Sequence, residues 1–188
     1  MTSFTCNAIK QSFLKLLDER PYSDITVRDI TEDCGINRNS FYYHYRDMQT
    51  LLEEIVKEKV DELIRRYPTA SSLEECLDTA VGFNLSNRRM VLHVYQSIER
   101  DVLERSLWRL SDYLVNRFFE SAFGERNIRP EDRQLLIRYF RGVCFGLVMD
   151  WLESGMQADT KEGFRRLALL KRGQTEEMIR RCEEIVNG

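Results

Sequence analysis

The sequence has few residues that break helices, with only 9 glycines and 3 prolines among 188 residues. So few breakers in a chain of this length favour helices over a turn-rich β architecture. Apolar residues make up 43% of the chain and charged residues 31%, which allows a sizeable core and argues against disorder. The length suits one compact domain, or a small domain joined to a larger one.

Closely spaced cysteines and long apolar runs are also absent. The five cysteines form no Cys-x-x-Cys pair, which excludes a zinc ribbon and a thioredoxin-type motif. They are Cys6, Cys34, Cys76, Cys144 and Cys182, and we expect buried free thiols in a reducing compartment. The longest apolar run, residues 143–149, is far shorter than the ~20 residues that span a bilayer. No signal peptide is recognisable, so we expect a cytoplasmic protein without membrane contact.

The chain has no excess of positive charge, since 28 Lys and Arg stand against 31 Asp and Glu. This balance excludes a polybasic RNA-coating or histone-like protein, although a local basic face can still bind DNA. The two histidines, His44 and His93, give little support for a metal site, and we expect His93 to be a satisfied helix residue. No Ser/His/Asp grouping, glycine-rich phosphate loop or carboxylate–histidine cluster occurs, so we expect neither an enzyme nor a cofactor.

Apolar residues recur at every third or fourth position, which predicts an all-α fold. Thr26 and Asp29 form a pattern typical of a capping box, Gly35 ends that helix, and Asn37 is a good N-cap for the next. We expect the last helix to break at Gly173. The predicted helices lie near 5–19, 26–34, 37–43, 48–66, 71–83, 86–98, 100–123, 130–155 and 160–186.

The second and third predicted helices are joined by a tight turn at Gly35 and Ile36, which is the spacing of a helix-turn-helix. We expect Ile30, Cys34, Ile36 and Phe41 to pack this pair against the first helix. The outer side of the third helix would then be free for a major groove. On spacing alone, a solvated turn between two packed helices is equally compatible with the pattern.

The outer side of the third helix offers polar side chains that suit DNA. Arg38 and Asn39 can bond base edges bidentately, whereas Ser40, Tyr42 and His44 suit phosphates. These residue types suit contact with a duplex, and they suit a solvated polar face equally well.

Residues 26–52 combine several further elements. They are a Thr-Val opening, Ile30, a Gly-Ile pair before the third helix, the aromatic run Phe41-Tyr42-Tyr43-His44-Tyr45, and the pair Leu51-Leu52. Together these elements resemble the TetR family of transcriptional regulators. The resemblance implies an N-terminal three-helix helix-turn-helix domain over residues 1–47. It also implies a larger helical bundle domain over 48–188 for ligand binding and dimerisation.

The resemblance implies a role for individual residues. Thr26 and Arg28 would contact the phosphate backbone, Arg38 and Asn39 would face bases, and Ser40 would contact either. Tyr42 and His44 would clamp phosphates. The predicted DNA-binding residues are Thr26, Arg28, Asn37, Arg38, Asn39, Ser40, Tyr42 and His44.

The chain departs from the family pattern at Met48, where the family usually has a lysine that contacts phosphate. Arg46 could take its place. Residues 1–66 carry 10 basic and 12 acidic side chains, so this part of the chain is not electropositive. We therefore expect DNA affinity to depend on a few placed contacts and on dimerisation, with a modest dependence on salt.

The helix near 130–155 carries a broad apolar face and two glycines, Gly142 and Gly146, that let another helix approach closely, either from the same subunit or from a partner. Residues 150–156 resemble the end of the penultimate helix in TetR regulators related to the activator of dihydroxyacetone kinase genes. In the family, this helix and the last one pair with their mates as a four-helix bundle. The predicted dimerisation residues are Leu136, Phe140, Val143, Leu147, Trp151, Leu167, Leu170 and Met178.

The resemblance implies a homodimeric regulator of double-stranded DNA at a pseudo-palindromic operator, expected to be a repressor released by a small-molecule effector. The alternative is a large domain that binds a protein partner instead. Asp150 could bind a cationic ligand or form a salt bridge at the dimer edge. The aromatic residues of the large domain either line a cavity or belong to the core, so no ligand-binding residue is predicted. These aromatics are Phe83, Tyr95, Trp108, Tyr113, Phe118, Phe119, Tyr139 and Phe145.

Overall fold

The computed structural model describes residues 2–68, 73–157 and 159–187, with side chains for 4–68, 79–157 and 162–186. Over these residues it contains helices and no strand, so the predicted all-α fold is confirmed. The helices are α1 (Thr2–Glu19), α2 (Val27–Asp33), α3 (Arg38–His44), α4 (Met48–Arg66), α5 (Leu73–Ser86), α6 (Arg88–Ser97), α7 (Arg100–Phe123), α8 (Pro130–Glu153), α9 (Asp159–Lys171) and α10 (Gln174–Asn187).

The helix pattern has two local features, a break at Gly173 and a short turn after Pro21. The break predicted at Gly173 is confirmed, because this glycine has φ 77° and separates α9 from α10. A short 3-10 turn at Tyr22–Asp24, after Pro21, was not predicted. No described helix is long and apolar enough to cross a membrane.

The chain forms two compact units. The first unit comprises Met1–Lys59 with Asn87–Glu104, and the second comprises Val60–Ser86 with Arg105–Gly188. Helix α4 therefore contributes to both units, and α6 belongs to the first. The predicted division into a DNA-binding domain over residues 1–47 and a ligand-binding and dimerisation domain over 48–188 stays a prediction.

The first unit is built around α1, which packs against α2, α3 and α6. Phe13, Ile30 and Phe41 are fully buried between these helices. Cys34 and Ile36 pack partly buried against them, which confirms the predicted packing of the helix-turn-helix. The buried cluster consists of Ile9, Phe13, Leu16, Leu17, Ile25, Ile30, Phe41, Tyr45, Leu51 and Ile55.

Helix α6 is attached to α1 by polar contacts as well as by apolar packing. Arg89 makes two hydrogen bonds to the Asp18 carboxylate, of 2.5 and 3.2 Å. The Nδ1 atom of His93 lies 2.8 Å from the carbonyl oxygen of Leu17, so His93 is the satisfied helix residue that we predicted. Met90 packs against the core of the unit from the same helix.

The second unit has its own core between α7, α8 and α10. Its buried residues are Val115, Phe119, Phe123, Leu136 and Ile179. Phe118, Phe140 and Met178 pack partly buried against them. The free thiols of Cys6, Cys34, Cys144 and Cys182 are half-buried rather than fully buried as expected, and the side chain of Cys76 lies outside the described residues.

Candidate nucleic-acid interface

Helix α2 begins with the capping box that the sequence predicted. The Thr26 side chain accepts a hydrogen bond from the Asp29 backbone N–H, and the Asp29 carboxylate accepts one of 2.8 Å from the Thr26 backbone N–H. The Thr26 hydroxyl also donates to Asp29 at 2.6 Å. These bonds to Thr26 hold the pKa of Asp29 below its usual range. Thr26 is exposed, but its hydroxyl proton is already committed to Asp29 in the free protein.

Helix α3 is held at its start by Asn37, its N-cap. The Asn37 side-chain oxygen accepts hydrogen bonds from the Ser40 backbone N–H at 2.8 Å and from the Ser40 hydroxyl at 3.1 Å. Gly35, at φ 69°, makes the left-handed turn that brings the chain into this cap. Asn37 and Ser40 thus fix the first turn of α3, and the Ser40 oxygen keeps its acceptor capacity.

The two sides of α3 differ sharply in exposure. Phe41 and Tyr45, four residues apart, are 0% and 1% exposed and face the core. Tyr42 is 56% exposed and Tyr43 is 79% exposed, and Arg38 and Asn39 are exposed one turn earlier. The helix therefore exposes one polar and aromatic side to solvent, while its other side packs against the core.

Arg38 and Asn39 lie on this outward side, and their side chains make no hydrogen bond or ion pair with the described residues. Because a guanidinium and an amide can each make two parallel hydrogen bonds, this pair is suited to reading base edges. His44 is half-buried, with its ring 4.9 Å from that of Tyr43 in an edge-on arrangement.

The other cations around this surface are paired with carboxylates. Nε of Arg28 lies 2.6 Å from Glu32, and Nε of Arg46 lies 2.9 Å from Asp47. Asp47 also accepts hydrogen bonds of 2.7 and 2.8 Å from the backbone N–H and the hydroxyl of Thr50. Through these bonds Asp47 caps the start of α4. The backbone bond from Thr50, together with Arg46, lowers the pKa of Asp47 to about 2.

Met48 occupies the position where the family usually has a lysine. Its side chain is half-buried and packs against the core of the first unit. Arg46 lies two residues earlier in the chain, and its side chain is 85% exposed. This geometry is compatible with the predicted replacement, which stays a prediction.

The predicted DNA-binding residues lie on α2 and α3 of the first unit and at the N-caps of these two helices. Six of them are exposed and Ser40 and His44 are half-buried. Sequence reasoning missed Tyr43, the most exposed aromatic residue of α3. The sequence did contain a signal for Tyr43. Phe41 and Tyr45 are four residues apart and buried, so Tyr42 and Tyr43 between them both point outward.

The predicted dimerisation residues differ in exposure. Leu136 and Trp151 are 5% and 6% exposed within the second unit, so they offer little surface to a partner. Leu170 is 69% exposed. The remaining ones, Phe140, Val143, Leu147, Leu167 and Met178, are half-buried.

The aromatic residues of the large domain also divide. Phe119 is buried and Phe118 packs on the same core, as a structural role requires. Trp108 is 40% exposed, with the Arg141 guanidinium 4.4 Å from its ring centre. Tyr113 donates its hydroxyl to Asp61 at 2.8 Å.

Two family models match the sequence. One, described as "Bacterial regulatory proteins, tetR family", matches residues 14–55, and the TetR-type model "Transcriptional regulator C-terminal region" matches residues 71–173. The chain belongs to the TetR family. It is therefore a DNA-binding regulator of transcription, and the outward side of α3 is part of its helix-turn-helix.

Curated relatives agree with this assignment. The chain is 22% identical to the HTH-type transcriptional regulator YxbF of Bacillus subtilis over 158 residues, which is 80% of this chain and 40% of YxbF. It thus spans less than half the length of that relative. It is 24% identical over 179 residues to the HTH-type transcriptional repressor KstR2 of Mycolicibacterium smegmatis, covering 84% of each chain.

Two solved structures share the fold. The dihydroxyacetone kinase operon activator DhaS aligns with a TM-score of 0.61 at 17% identity, over 89% of this chain and 95% of DhaS. A TetR regulator from Rhodococcus sp. RHA1 aligns with a TM-score of 0.64 at 13% identity, over 90% and 97%. At these identities the likeness concerns the fold alone.

Proposed function

We propose that the protein is a cytoplasmic homodimeric repressor that binds a pseudo-palindromic operator through α3 of each subunit. The observation that carries the proposal is the outward side of α3. Arg38 and Asn39 have no partner among the described residues, while Phe41 and Tyr45 fix the helix from behind. Because the helix backbone is already fixed, it loses little conformational entropy when its exposed side chains meet base edges, which favours sequence-specific contact.

A dimer is supported by the exposed side of α8. Leu135 and Tyr139 are 62% and 51% exposed, and Gly142 and Gly146 follow on the same side. A Cβ atom built on either glycine meets no heavy atom within 4 Å. No described part of the same chain therefore packs on the glycine pair, which favours a partner helix over packing within the subunit.

The proposed dimer seam combines this side of α8 with Leu170 of α9. Asp150 is exposed one turn after Gly146, where it would form a salt bridge at the dimer edge. Leu136 and Trp151 belong to the core of their own subunit in this arrangement.

Family membership supports release of the operator by a small molecule bound in the second unit. Such an effector would favour a conformation in which the two copies of α3 no longer match the spacing of successive major grooves. The relatives named KstR2 support repression as the direction of control.

Selection from a random duplex library with the full chain tests the proposal, followed by light scattering of the free protein and of the complex. We expect an enriched inverted repeat whose half-sites lie about one helical turn, ~34 Å, apart. The free protein should have twice the mass of the 22.4 kDa chain. No enrichment, an enriched site without two-fold symmetry, or a monomer in the complex would overturn it.

A further inference from the structure

Most cations of the helix-turn-helix region have a carboxylate partner within the same unit. Over the described residues 4–47, Arg38 is the cation that makes no ion pair. The pairs are Lys10 with Glu54 and Glu58, Lys15 with Asp33, Arg20 with Asp29, Arg28 with Glu32, and Arg46 with Asp47.

The Arg28–Glu32 pair differs from the others in having no evident structural purpose. Both side chains are largely exposed, at 66% and 62%, and Arg28 is the single partner of Glu32 among the described residues. Glu32 caps no helix, whereas Asp29 and Asp47 each cap a helix. Exposed ion pairs of this kind contribute little to folding, so stability gives the Arg28–Glu32 pair only a minor role.

The order of the pair along α2 supports the same view. Arg28 precedes Glu32 by four residues, which is the weaker orientation for an ion pair on a helix. It also places the carboxylate near the C-terminal end of α2, where the helix dipole disfavours negative charge. Stability alone would favour a neutral or basic residue at position 32.

We propose that Glu32 is an internal competitor of DNA phosphate for Arg28, and that it sets the affinity of the protein for DNA of any sequence. This inference rests on the proposed function, in which Arg28 contacts the phosphate backbone. A phosphate must displace the Glu32 carboxylate from the guanidinium before it can bind Arg28. Because phosphate contacts carry no sequence information, the effect applies equally to operator and non-operator DNA.

The proposal has a thermodynamic consequence in the salt dependence of binding. A phosphate neutralised by a cation releases condensed counterions, which steepens the fall of affinity with salt by about 0.9 per contact in a log–log plot. When Glu32 accompanies Arg28, the pair is electrically neutral and releases fewer counterions. Removing the Glu32 charge should therefore raise affinity and steepen the salt dependence together.

The test uses the full-length protein, the variant Glu32→Gln and a fluorescein-labelled duplex of arbitrary sequence, so the operator need not be known. We expect Glu32→Gln to bind about three- to ten-fold tighter at about 50 mM salt, with a log–log slope steeper by about one. The control Glu125→Gln makes the same charge change at an exposed turn in the second unit, and its affinity should equal that of the wild type.

A double-mutant cycle with Arg28→Gln identifies the mechanism. If Glu32 acts through Arg28, the gain from Glu32→Gln should disappear in the Arg28→Gln background. The proposal is overturned if Glu32→Gln has no effect, if Glu125→Gln has the same effect, or if the gain persists without Arg28. A wild type that binds no duplex, or Arg28→Gln binding as tightly as the wild type, would instead overturn the phosphate contact of the proposed function.

Discussion

The Tyr45 hydroxyl donates a hydrogen bond of 3.0 Å to Oε1 of Glu54, and the same oxygen lies 2.8 Å from Nζ of Lys10. Tyr45 is the C-cap of α3, Glu54 lies on α4 and Lys10 lies on α1, so one carboxylate joins three helices of the first unit. Burial and the nearby Glu54 raise the pKa of Tyr45 well above its usual value, so the phenol stays a hydrogen-bond donor. The contact fixes the end of α3 and with it the direction of the outward side chains.

Replacing Tyr45 by phenylalanine should lower the free energy of unfolding by about 1 kcal/mol, because one hydrogen bond is lost while Glu54 keeps Lys10 and solvent as partners. Urea unfolding measures this change. The control Tyr43→Phe removes a hydroxyl from a side chain that is 79% exposed and should leave stability unchanged. Equal losses in the two variants would contradict a specific role for the Tyr45–Glu54 bond.

Arg38→Ala should cost about 1–3 kcal/mol of binding free energy at the selected operator and relax base preference at the position that Arg38 reads. The reason is that the guanidinium has no protein partner and is available for a bidentate contact.

Tyr42→Phe should weaken binding to all sequences alike, because a phenol on phosphate carries no sequence information. Anisotropy titrations on the operator and its single-base variants measure both effects. The assignment of the outward side of α3 is wrong if neither variant changes operator affinity.

Gly146→Leu should convert the dimer to a monomer while the helix content stays unchanged. In the single chain a Cβ at position 146 meets nothing within 4 Å, so the new side chain fits the subunit but obstructs a closely packed partner helix. Light scattering and circular dichroism measure the two properties. Asn116→Leu adds similar apolar bulk at an exposed position of α7 and should remain dimeric. A dimeric Gly146→Leu protein would place the interface elsewhere.

Local features of the sequence were sufficient to predict the helix-turn-helix. The cap at Thr26 and Asp29, the turn at Gly35 and the cap at Asn37 each involve residues within three or four positions of one another, and short-range patterns are readable from a chain. The outward side of α3 could be predicted from the sequence as well, because burial of Phe41 fixes which side chains point outward.

Contacts between distant residues could not be predicted in the same way. Helix α6 belongs to the first unit through contacts such as that of Arg89 with Asp18, which are 71 residues apart. Helix α8 is apolar on more than one side, so periodicity did not distinguish Leu136, which is buried, from Leu135, which is 62% exposed. Only packing against α7 and α10 decides which side faces the core.

The Asp47 carboxylate should make stability depend on pH below about 4. Its pKa is about 2 in the folded protein, because it accepts hydrogen bonds from Thr50 and pairs with Arg46, whereas an unfolded aspartate titrates near 3.9. As the pH falls from about 4 to 2, the unfolded chain takes up a proton at this residue before the folded one does, and the contribution of Asp47 to stability is lost. Asp47→Asn keeps a capping oxygen but has no charge to titrate. In urea unfolding, the excess stability of the wild type over this variant should therefore be present at pH 6 and shrink through this range. The other carboxylates are common to both proteins, so their effects cancel in the difference in unfolding free energy. A difference that does not change with pH would show that the charge of Asp47 does not stabilise the start of α4.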